Sequence, residues 1–258
     1  MGSAEENQFV ARFEGVALRY ERGPEILRDV SFDLKSDSFY FLTGPSGAGK
    51  TTLLRLLYLS LKPTRGSAAV FGHDIAKTPR DRLPDLRRKI GVVFQNFRLL
   101  EHLSVFDNVA LPLRVAGIRE EDVRRDVAEL LTWVGLKDHV SVPTPTLSGG
   151  QQQLVAIARA VVGRPKLILA DEPTGNVDEA VASRLIHLFQ ELNKLGATVV
   201  IATHNHSLAD RLGYRRFNVD GGRLWSETTS DTASPRAVAG GYRRDMTAIG
   251  NASGTGAA

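Results

Sequence analysis

The stretch GPSGAGKTT, residues 44–52, constrains the fold of this chain more than any other part of the sequence. It matches the pattern G-x-x-x-x-G-K-[ST], follows the apolar run FYFLT and precedes the helical pattern KTTLLRLLYL. A glycine-rich loop in that position directs backbone N–H groups and the positive end of a helix dipole toward one point. A glycine-rich turn that matches by chance is the alternative, and the strand–loop–helix context disfavours it. The stretch therefore predicts a phosphate-binding loop.

Each residue type in this loop has a chemical use. Gly44, Gly47 and Gly49 let backbone N–H groups turn inward, where a Cβ atom would obstruct them. We expect Lys50 to reach the β- and γ-phosphates of a nucleotide and the Thr51 hydroxyl to ligate Mg²⁺. The candidate nucleotide-binding residues of the loop are Gly44, Pro45, Ser46, Gly47, Ala48, Gly49, Lys50, Thr51 and Thr52.

A second chemical feature is the apolar run KLILA, which leads directly into two carboxylates. Asp171, at the strand end, is expected to hold Mg²⁺, and Glu172 is expected to polarise the attacking water. The alternative is that the motif simply ends a strand, since Pro173 cannot continue one in a sheet interior. Downstream of a phosphate-binding loop, the two carboxylates indicate a nucleoside triphosphatase.

Composition narrows the class of protein. The chain has 258 residues, 42% of them hydrophobic, which suits one domain with a small inserted subdomain. No run approaches the roughly eighteen apolar residues of a membrane span, and the N-terminal MGSAEENQFV lacks the apolar core of a signal peptide. With no cysteine, no disulfide framework is expected. These features predict a cytosolic protein, and the net charge of +4 does not select a function.

The pattern of strands and helices predicts the architecture. Residues 8–43 show four short strand patterns separated by turn residues, and beyond them apolar strands alternate with helices. Continuous apolar strands between helices indicate a largely parallel sheet that is buried on both faces. The helical stretch 98–140 interrupts that alternation, so we expect an inserted helical subdomain over about residues 98–160. The predicted class is an α/β phosphate-loop fold with a mostly parallel sheet core and an N-terminal antiparallel β-subdomain.

The end of the chain differs in composition from the rest. From Ser226 onward the residues are mostly Ser, Thr, Gly and Ala with scattered charges. Such a segment cannot bury enough apolar surface to offset the entropy of ordering it. The predicted ATPase domain therefore spans residues 8–225, and residues 226–258 are expected to be a disordered tail.

The stretch LSGGQQQ, residues 147–153, places two glycines and three amides at a predicted helix start. Glycine costs a helix about 1 kcal/mol relative to alanine, so packing does not explain this composition. Upstream of the two-carboxylate strand, the stretch makes the chain resemble the ATP-binding-cassette (ABC) ATPases over roughly residues 8–225. In that family this signature helix points its N-terminus at ATP held by a second protomer. The resemblance therefore implies that four residues act in trans: Ser148, Gly149, Gly150 and Gln151.

The resemblance implies roles for four further residues. Gln95 matches the glutamine that contacts Mg²⁺ and the attacking water, and His204 matches the histidine that contacts the γ-phosphate. Asp178 matches the aspartate that reaches across the dimer, and Tyr20 matches the aromatic residue that stacks on adenine. The chain departs from the family at Asn205, where an aspartate often follows the histidine. That departure removes a carboxylate beside the phosphates.

The resemblance also implies partners. A chain with one phosphate loop, one signature and no membrane span is expected to form a homodimer and dock on a separate polytopic membrane protein, at the inner face of the cell membrane. ATP and Mg²⁺ are the implied ligands. Its motifs are most similar to the cell-division members of the family, which pair with an FtsX-type membrane protein. ATPases of lipoprotein-releasing and macrolide-export systems are the alternative, and a soluble ABC ATPase acting on nucleic acid or ribosomes is less favoured.

The segment NFRLLEHLSVFDNVALPL, which follows Gln95, is the candidate groove for the membrane partner. Its apolar residues could equally belong to the core of the helical subdomain, and we expect that for more than half of the candidates. The docking candidates are Phe97, Leu99, Leu100, Val105 and Phe106.

Overall fold

A computed structural model describes residues 8–175 and 177–227 of the chain. The strands are β1 Phe9–Arg19, β2 Glu25–Lys35, β3 Phe39–Thr43, β4 Arg65–Val70, β5 His73–Asp74, β6 Ile90–Val93, β7 Leu167–Asp171, β8 Thr198–Thr203, β9 Arg215–Asp220 and β10 Arg223–Glu227. The helices are α1 Lys50–Leu57, α2 Leu83–Arg88, α3 Val105–Val115, α4 Glu120–Trp133, α5 Gly149–Val161, α6 Glu179–Lys194 and α7 His206–Leu212.

The strands form two sheets. One is antiparallel, in the order β2-β1-β4-β5, and the other has the order β10-β9-β3-β8-β7-β6. In the second sheet β9, β3, β8, β7 and β6 are parallel, and β10 is antiparallel at the edge. The predicted fold class, a mostly parallel α/β core with an N-terminal antiparallel sheet, is confirmed.

The N-terminal strands differ from the prediction in one respect. The two strand patterns on either side of Gly15 form a single long strand, β1, which pairs with both β2 and β4. Gly15 has a φ of 57°, and the register with β2 shifts between Phe13 and Val16. A bulge of this kind bends a strand without ending it. The residues between the two predicted strands therefore form an irregularity inside β1.

The parallel sheet separates two cores. Alternate side chains such as Phe41 and Ile201 face a core that contains residues of α3, α4, α5 and α6. Their neighbours Leu42 and Val200 face a second core, shared with α1 and the antiparallel sheet. Burial of both faces accounts for the continuous apolar runs in the sequence. Because parallel strands share one direction, the residues that follow β3, β7 and β8 meet at the same edge of the sheet.

The helices α3, α4 and α5 lie between β6 and β7 in the chain. Helix α3 packs on both α4 and α5, and α5 packs on β6. A salt-bridge network strengthens the α3–α4 contact, since Arg114 donates to Asp107 at 2.8 Å and to Glu120 at 2.7 Å. Hydrogen bonds from Ser104 and Arg114 lower the pKa of Asp107 below its ordinary value. None of the described helices is both long enough and apolar enough to cross a bilayer.

The C-terminal part contains one helix that the sequence did not predict. Helix α7 begins directly after Asn205, whose Oδ1 accepts from the Leu208 backbone N–H at 3.1 Å. The residue that replaces the family's aspartate therefore serves as an N-cap. Strand β10 runs through Ser226 to Glu227, so the predicted boundary between residues 225 and 226 falls inside this strand. The remainder of the predicted tail, 228–258, lies outside the described residues.

Candidate nucleotide site

The loop between β3 and α1 has a backbone that only glycine accommodates easily. Gly44 has a φ of 147°, and a Cβ atom there would lie 2.0 Å from the carbonyl oxygen of Val219 in β9. Gly49 has a φ of 112°, and a Cβ atom there would lie 2.9 Å from Cδ2 of Leu27 in β2. These glycines therefore allow close packing on two strands, a reason that the sequence did not reveal, in addition to the turn itself.

Lys50 is the first residue of α1, and its side chain is buried in the loop. Its Nζ donates to the carbonyl oxygens of Gly44 at 2.7 Å and Pro45 at 3.1 Å. The same atom lies 3.9 Å from Oε1 of Glu172. The loop thus holds a desolvated ammonium group among backbone atoms, an arrangement suited to binding phosphate oxygens.

Thr51 and Asp171 meet where α1 faces the end of β7. The Thr51 hydroxyl donates to Oδ2 of Asp171 at 2.8 Å. Burial raises the pKa of Asp171, and the hydrogen bond from Thr51 opposes that rise only in part. Hydroxyl and carboxylate oxygens are the ligand types that Mg²⁺ takes beside nucleotide phosphates. The pair therefore fits a magnesium ion.

Glu172 follows β7 directly and has a φ of 50°. A left-handed conformation at a residue other than glycine costs about 1–3 kcal/mol and is typical of functional sites. The Glu172 backbone N–H donates to Ala202 of β8 at 2.8 Å, which fixes the residue at the sheet edge. Its Oε2 is buried and has no hydrogen-bond partner among the described residues. A buried carboxylate oxygen with unused acceptor capacity suits a base that polarises water.

His204 and Gln95 lie at the same edge of the sheet, because they follow β8 and β6. His204 Nδ1 lies 2.9 Å from Glu172 Oε1, and since an ionised carboxylate only accepts, Nδ1 donates. Gln95 is exposed, and within the described ranges its side chain makes no hydrogen bond. Hydrogen bonds and ion pairs therefore link Glu172 to His204 and Lys50, and Thr51 to Asp171, while Gln95 is near the site without being bonded to it.

Tyr20 lies just beyond β1, and 38% of its surface is exposed. Its hydroxyl lies 3.5 Å from Oγ1 of Thr52, and Arg55 donates to the same hydroxyl at 3.5 Å. These contacts place the phenol beside the first turns of α1. An exposed aromatic side chain next to a phosphate-binding loop is suited to stacking on a base.

The LSGGQQQ stretch forms the start of α5, with Ser148 as the N-cap. The Ser148 Oγ accepts from the Gln151 backbone N–H at 3.3 Å, and Gln151 Oε1 accepts from the Ser148 backbone N–H at 2.9 Å. Ser148 and Gly149 are exposed, and within the described part of the chain no hydrogen bond joins residues 147–153 to residues 44–52. The positive end of this helix is therefore not used by the chain's own phosphate loop.

Asp178 is the N-cap of α6, whose residue Val181 lies next to this helix start. Its Oδ1 accepts from the Val181 backbone N–H at 2.9 Å, so the side chain caps α6, a use that the sequence did not predict. A Cβ atom on Gly150 would lie 3.0 Å from Cγ1 of Val181. The second signature glycine therefore lets Val181 of α6 approach the start of α5 closely.

The predicted docking residues fall into two groups. Val105 is fully buried, and the prediction that it contacts a membrane partner is wrong, because its side chain is part of the core. Leu99 and Phe106 are partly buried and pack against the same core. Leu100 is 36% exposed and Phe97 is half-buried. The apolar pattern of the segment comes mainly from packing.

The loop that carries these residues is attached to α5. Arg159 donates to the carbonyl oxygens of Phe97 at 2.8 Å and Arg98 at 2.7 Å. Both loop residues have positive φ, 53° and 49°. Burial lowers the pKa of Arg159 below its ordinary value. Sequence reasoning missed this residue, whose signal was a single cation in the apolar run LVAIARAVV.

Comparisons with known proteins identify relatives of this chain. The cell division ATP-binding protein FtsE of Escherichia coli K12 is 45% identical over 213 residues, which cover 83% of this chain and 96% of that protein. FtsE of Streptococcus pneumoniae D39 is 39% identical over 215 residues, which cover 83% and 94%.

A solved structure and a family match extend the likeness. The structure is a dimer of the ATP-binding cassette MJ0796 in a post-hydrolysis state with ADP and Pi, with a TM-score of 0.79 and 34% identity; the match covers 86% of this chain and 100% of that one. The sequence model of the family described as ABC transporter matches residues 27–175. With its fold, its loop and its relatives in agreement, the chain belongs to the ABC transporter family, among the ATP-binding cassettes.

Proposed function

We propose that this chain hydrolyses ATP as the nucleotide-binding subunit of a bacterial cell-division complex of the FtsE type. The ATPase assignment rests above all on one observation. The Lys50 ammonium, the Thr51–Asp171 pair and the Glu172–His204 pair lie together at the carboxyl edge of the parallel sheet. The cell-division assignment rests on the likeness to FtsE over most of both chains.

The loop residues bind and orient the nucleotide. In the chain alone, Lys50 donates to the Gly44 and Pro45 carbonyls. The β- and γ-phosphate oxygens of ATP are stronger acceptors because they are charged, so they take over these hydrogen bonds. The loop N–H groups and the start of α1 add positive potential, and Tyr20 stacks on the adenine.

The magnesium site uses the oxygen atoms beside the loop. Thr51 and Asp171 would hold Mg²⁺, together with Gln95 from the loop after β6. A bound Mg²⁺ ion supplies positive charge that offsets the charge of the phosphate oxygens. Burial raises the pKa of Asp171, and a cation at this point would oppose that rise because a neighbouring positive charge favours the ionised carboxylate.

Glu172 acts as the general base. His204 donates to Oε1, which leaves the buried Oε2 to accept a hydrogen bond from the attacking water. The Lys50 ammonium forms an ion pair with Oε1 of the same carboxylate at 3.9 Å. The water oxygen attacks the γ-phosphorus, its proton moves to Glu172, and the bond to the β-phosphate oxygen breaks to give ADP and phosphate.

The complete site requires two chains. Ser148, Gly149, Gly150, Gln151 and Asp178 are proposed to complete the nucleotide site of a partner protomer in a head-to-tail homodimer. The exposed, unshared N-terminus of α5 supports this arrangement, and so does the dimeric form of MJ0796.

A polytopic membrane protein of the FtsX type is the proposed partner of the dimer, at the inner face of the cell membrane. We propose that it docks on the loop held by Arg159. Leu100 and Phe97 are the accessible docking candidates, and Leu99 and Phe106 are candidates that are partly buried against the core.

The test is the variant Glu172→Gln, which removes the base and keeps the size of the side chain. We expect it to bind ATP normally and to release phosphate about 10²–10⁴ times more slowly, the range for loss of a general base. Steady-state phosphate release and equilibrium titration with a fluorescent ATP analogue measure the two properties. Turnover close to that of the parent chain would contradict the role of Glu172. The exposed Glu101→Gln is the matched control.

A further inference from the structure

The signature stretch has a neighbour that the proposed function does not use. His139 ends the short 3₁₀ turn Lys137–His139, which lies between α4 and α5. Its Nε2 lies 3.1 Å from Nε2 of Gln151, the last residue of the LSGGQ motif. Two nitrogen atoms at this distance form a hydrogen bond only if one donates and the other accepts.

The orientation of the Gln151 amide decides which atom donates. Gln151 Oε1 accepts from the Ser148 backbone N–H at 2.9 Å, as part of the capping box. The other amide atom is therefore the NH₂ group, which carries only donors. It follows that His139 accepts through Nε2, and that its ring is neutral with the proton on Nδ1.

One nitrogen atom of the His139 ring lacks a hydrogen-bond partner among the described residues. This atom is Nδ1, which is buried. A buried donor without a partner is unfavourable for the folded state. Among the described residues, the hydrogen bond that the imidazole makes is the one with Gln151, so the role of this side chain concerns the signature.

Gln151 transmits that contact to the N-cap. Its backbone N–H donates to Ser148 Oγ at 3.3 Å while its side chain accepts from the Ser148 backbone. Because the Ser148 Oγ already accepts this bond, its own hydroxyl proton is free to point away from the helix, toward an outside acceptor. A Gln151 side chain that rotates freely would lose one of these two bonds and loosen the cap.

We propose that His139 is a positioning residue for the signature. It accepts a hydrogen bond from Gln151 as a neutral imidazole and so keeps the capping box of Ser148 in the geometry that meets the partner's nucleotide. This inference rests on the proposed function, in which Ser148 binds the nucleotide of a second protomer.

The first test is independent of that function. The full-length chain is labelled with ¹⁵N in its six histidines, and the His139 signal is identified by its loss in His139→Gln. Long-range ¹H–¹⁵N correlations at neutral pH distinguish the two tautomers. We expect the proton on Nδ1. A proton on Nε2 would overturn the proposal, because that nitrogen could not accept from Gln151.

The second test compares asparagine and glutamine at position 139, which carry the same amide group on side chains of different length. The side-chain oxygen of glutamine can occupy the place of Nε2, whereas the shorter asparagine reaches only the place of Nδ1. In the Glu172→Gln background, we expect His139→Asn to raise the ATP concentration that drives dimerisation about tenfold, the effect of one lost hydrogen bond. His139→Gln should restore the parent value. Lys137→Ala, on the same turn and exposed, is the matched control.

Three readouts keep the outcomes separate. Titration of the monomer with a fluorescent ATP analogue should give the parent affinity for all variants, since among the described residues no hydrogen bond joins the His139 side chain to residues 44–52. Thermal unfolding of both His139 variants checks that they fold alike. Equal dimerisation by His139→Asn and the parent would overturn the positioning role. A parent that fails to dimerise with ATP would instead contradict the two-chain function, while the tautomer measurement would still decide the contact.

Discussion

The two halves of the candidate site differ in whether their functional side chains bond to each other within one chain. In the loop half, the functional groups bond to each other: Thr51 donates to Asp171, His204 donates to Glu172, and Lys50 lies beside Glu172. In the signature half, Ser148 and Asp178 are exposed and serve only as caps of their own helices. From this comparison we infer, as part of the proposed function, that one chain suffices to bind ATP and that hydrolysis needs the signature half of a second chain.

Substitutions can therefore separate the halves. Removal of a group that contacts the phosphates or the magnesium ion in the loop half should weaken ATP binding by a single chain. A change in the signature half should leave that binding intact and stop only what two chains do together.

The largest effect on binding is expected for Lys50→Ala. A charge-assisted hydrogen bond contributes about 1.5–3 kcal/mol, so affinity for ATP should fall about tenfold to a hundredfold, and turnover should fall with it. The fold should persist, because the lysine donates hydrogen bonds to two loop carbonyls, its ion pair with Glu172 is long at 3.9 Å, and the loop is built on glycines. Titration with a fluorescent ATP analogue measures the affinity. An unchanged value would contradict the assignment of Lys50 to the phosphates.

A smaller effect is expected at the α5–α6 contact. Gly150→Ala places a Cβ atom 3.0 Å from the branched side chain of Val181. Because valine has little rotamer freedom in a helix, the two helices must shift. Turnover should fall severalfold while binding to a single chain is unchanged.

A double-mutant cycle tests whether that contact is the cause. Val181→Ala should destabilise the parent chain but restore both stability and turnover in the Gly150→Ala chain, with a coupling of about 1 kcal/mol. Urea unfolding and phosphate release measure the two properties. Additive effects would show that Gly150 is required for another reason.

The smallest effect is expected for Asp171→Asn in the protein without nucleotide. Burial raises the pKa of Asp171 above its ordinary value of 3.8, so ionisation disfavours the folded state. The stabilising contribution of the neutral acid is complete below pH 3.8 and is lost as the pH rises through the raised pKa.

Asparagine cannot ionise, so the folded state avoids the cost of a buried charge at this position. Asp171→Asn should therefore raise the melting temperature slightly at pH 7, and this increase should vanish near pH 4. The added stability from Mg-ATP should fall in the same variant. Thermal scans over this pH range, with and without Mg-ATP, measure both. A lower melting temperature at neutral pH in the absence of nucleotide would contradict the direction of the pKa shift.

The sequence was sufficient for the element order and the loop because both follow from local patterns. Continuous apolar runs identify buried parallel strands, and the glycine spacing of residues 44–52 identifies the turn. The wrong prediction for Val105 has the same origin, since a buried helix face and a docking groove produce the same apolar periodicity.

Those local patterns do not predict contacts between elements that are distant in the sequence. Periodicity shows that a face is buried but not which atoms meet across it. The approach of Val181 to Gly150, the bonds from Arg159 to the loop after β6 and the contact of His139 with Gln151 each join separate elements. Two of the three involve the LSGGQ motif itself, so its sequence reflects packing within the chain as well as a ligand.

The signature half is proposed to complete the nucleotide site of another chain. Light scattering of the Glu172→Gln chain with and without Mg-ATP tests this claim most directly. A second sample carries Ser148→Arg in addition. The matched control carries Ser141→Arg instead, at an exposed serine in the preceding turn. We expect Mg-ATP to convert the Glu172→Gln chain and the control from monomer to dimer. The Ser148→Arg chain should bind ATP and remain monomeric, since a bulky cation cannot fit where the helix start meets the γ-phosphate. A Glu172→Gln chain that stays monomeric with Mg-ATP at high concentration, even with its membrane partner present, would contradict the claim.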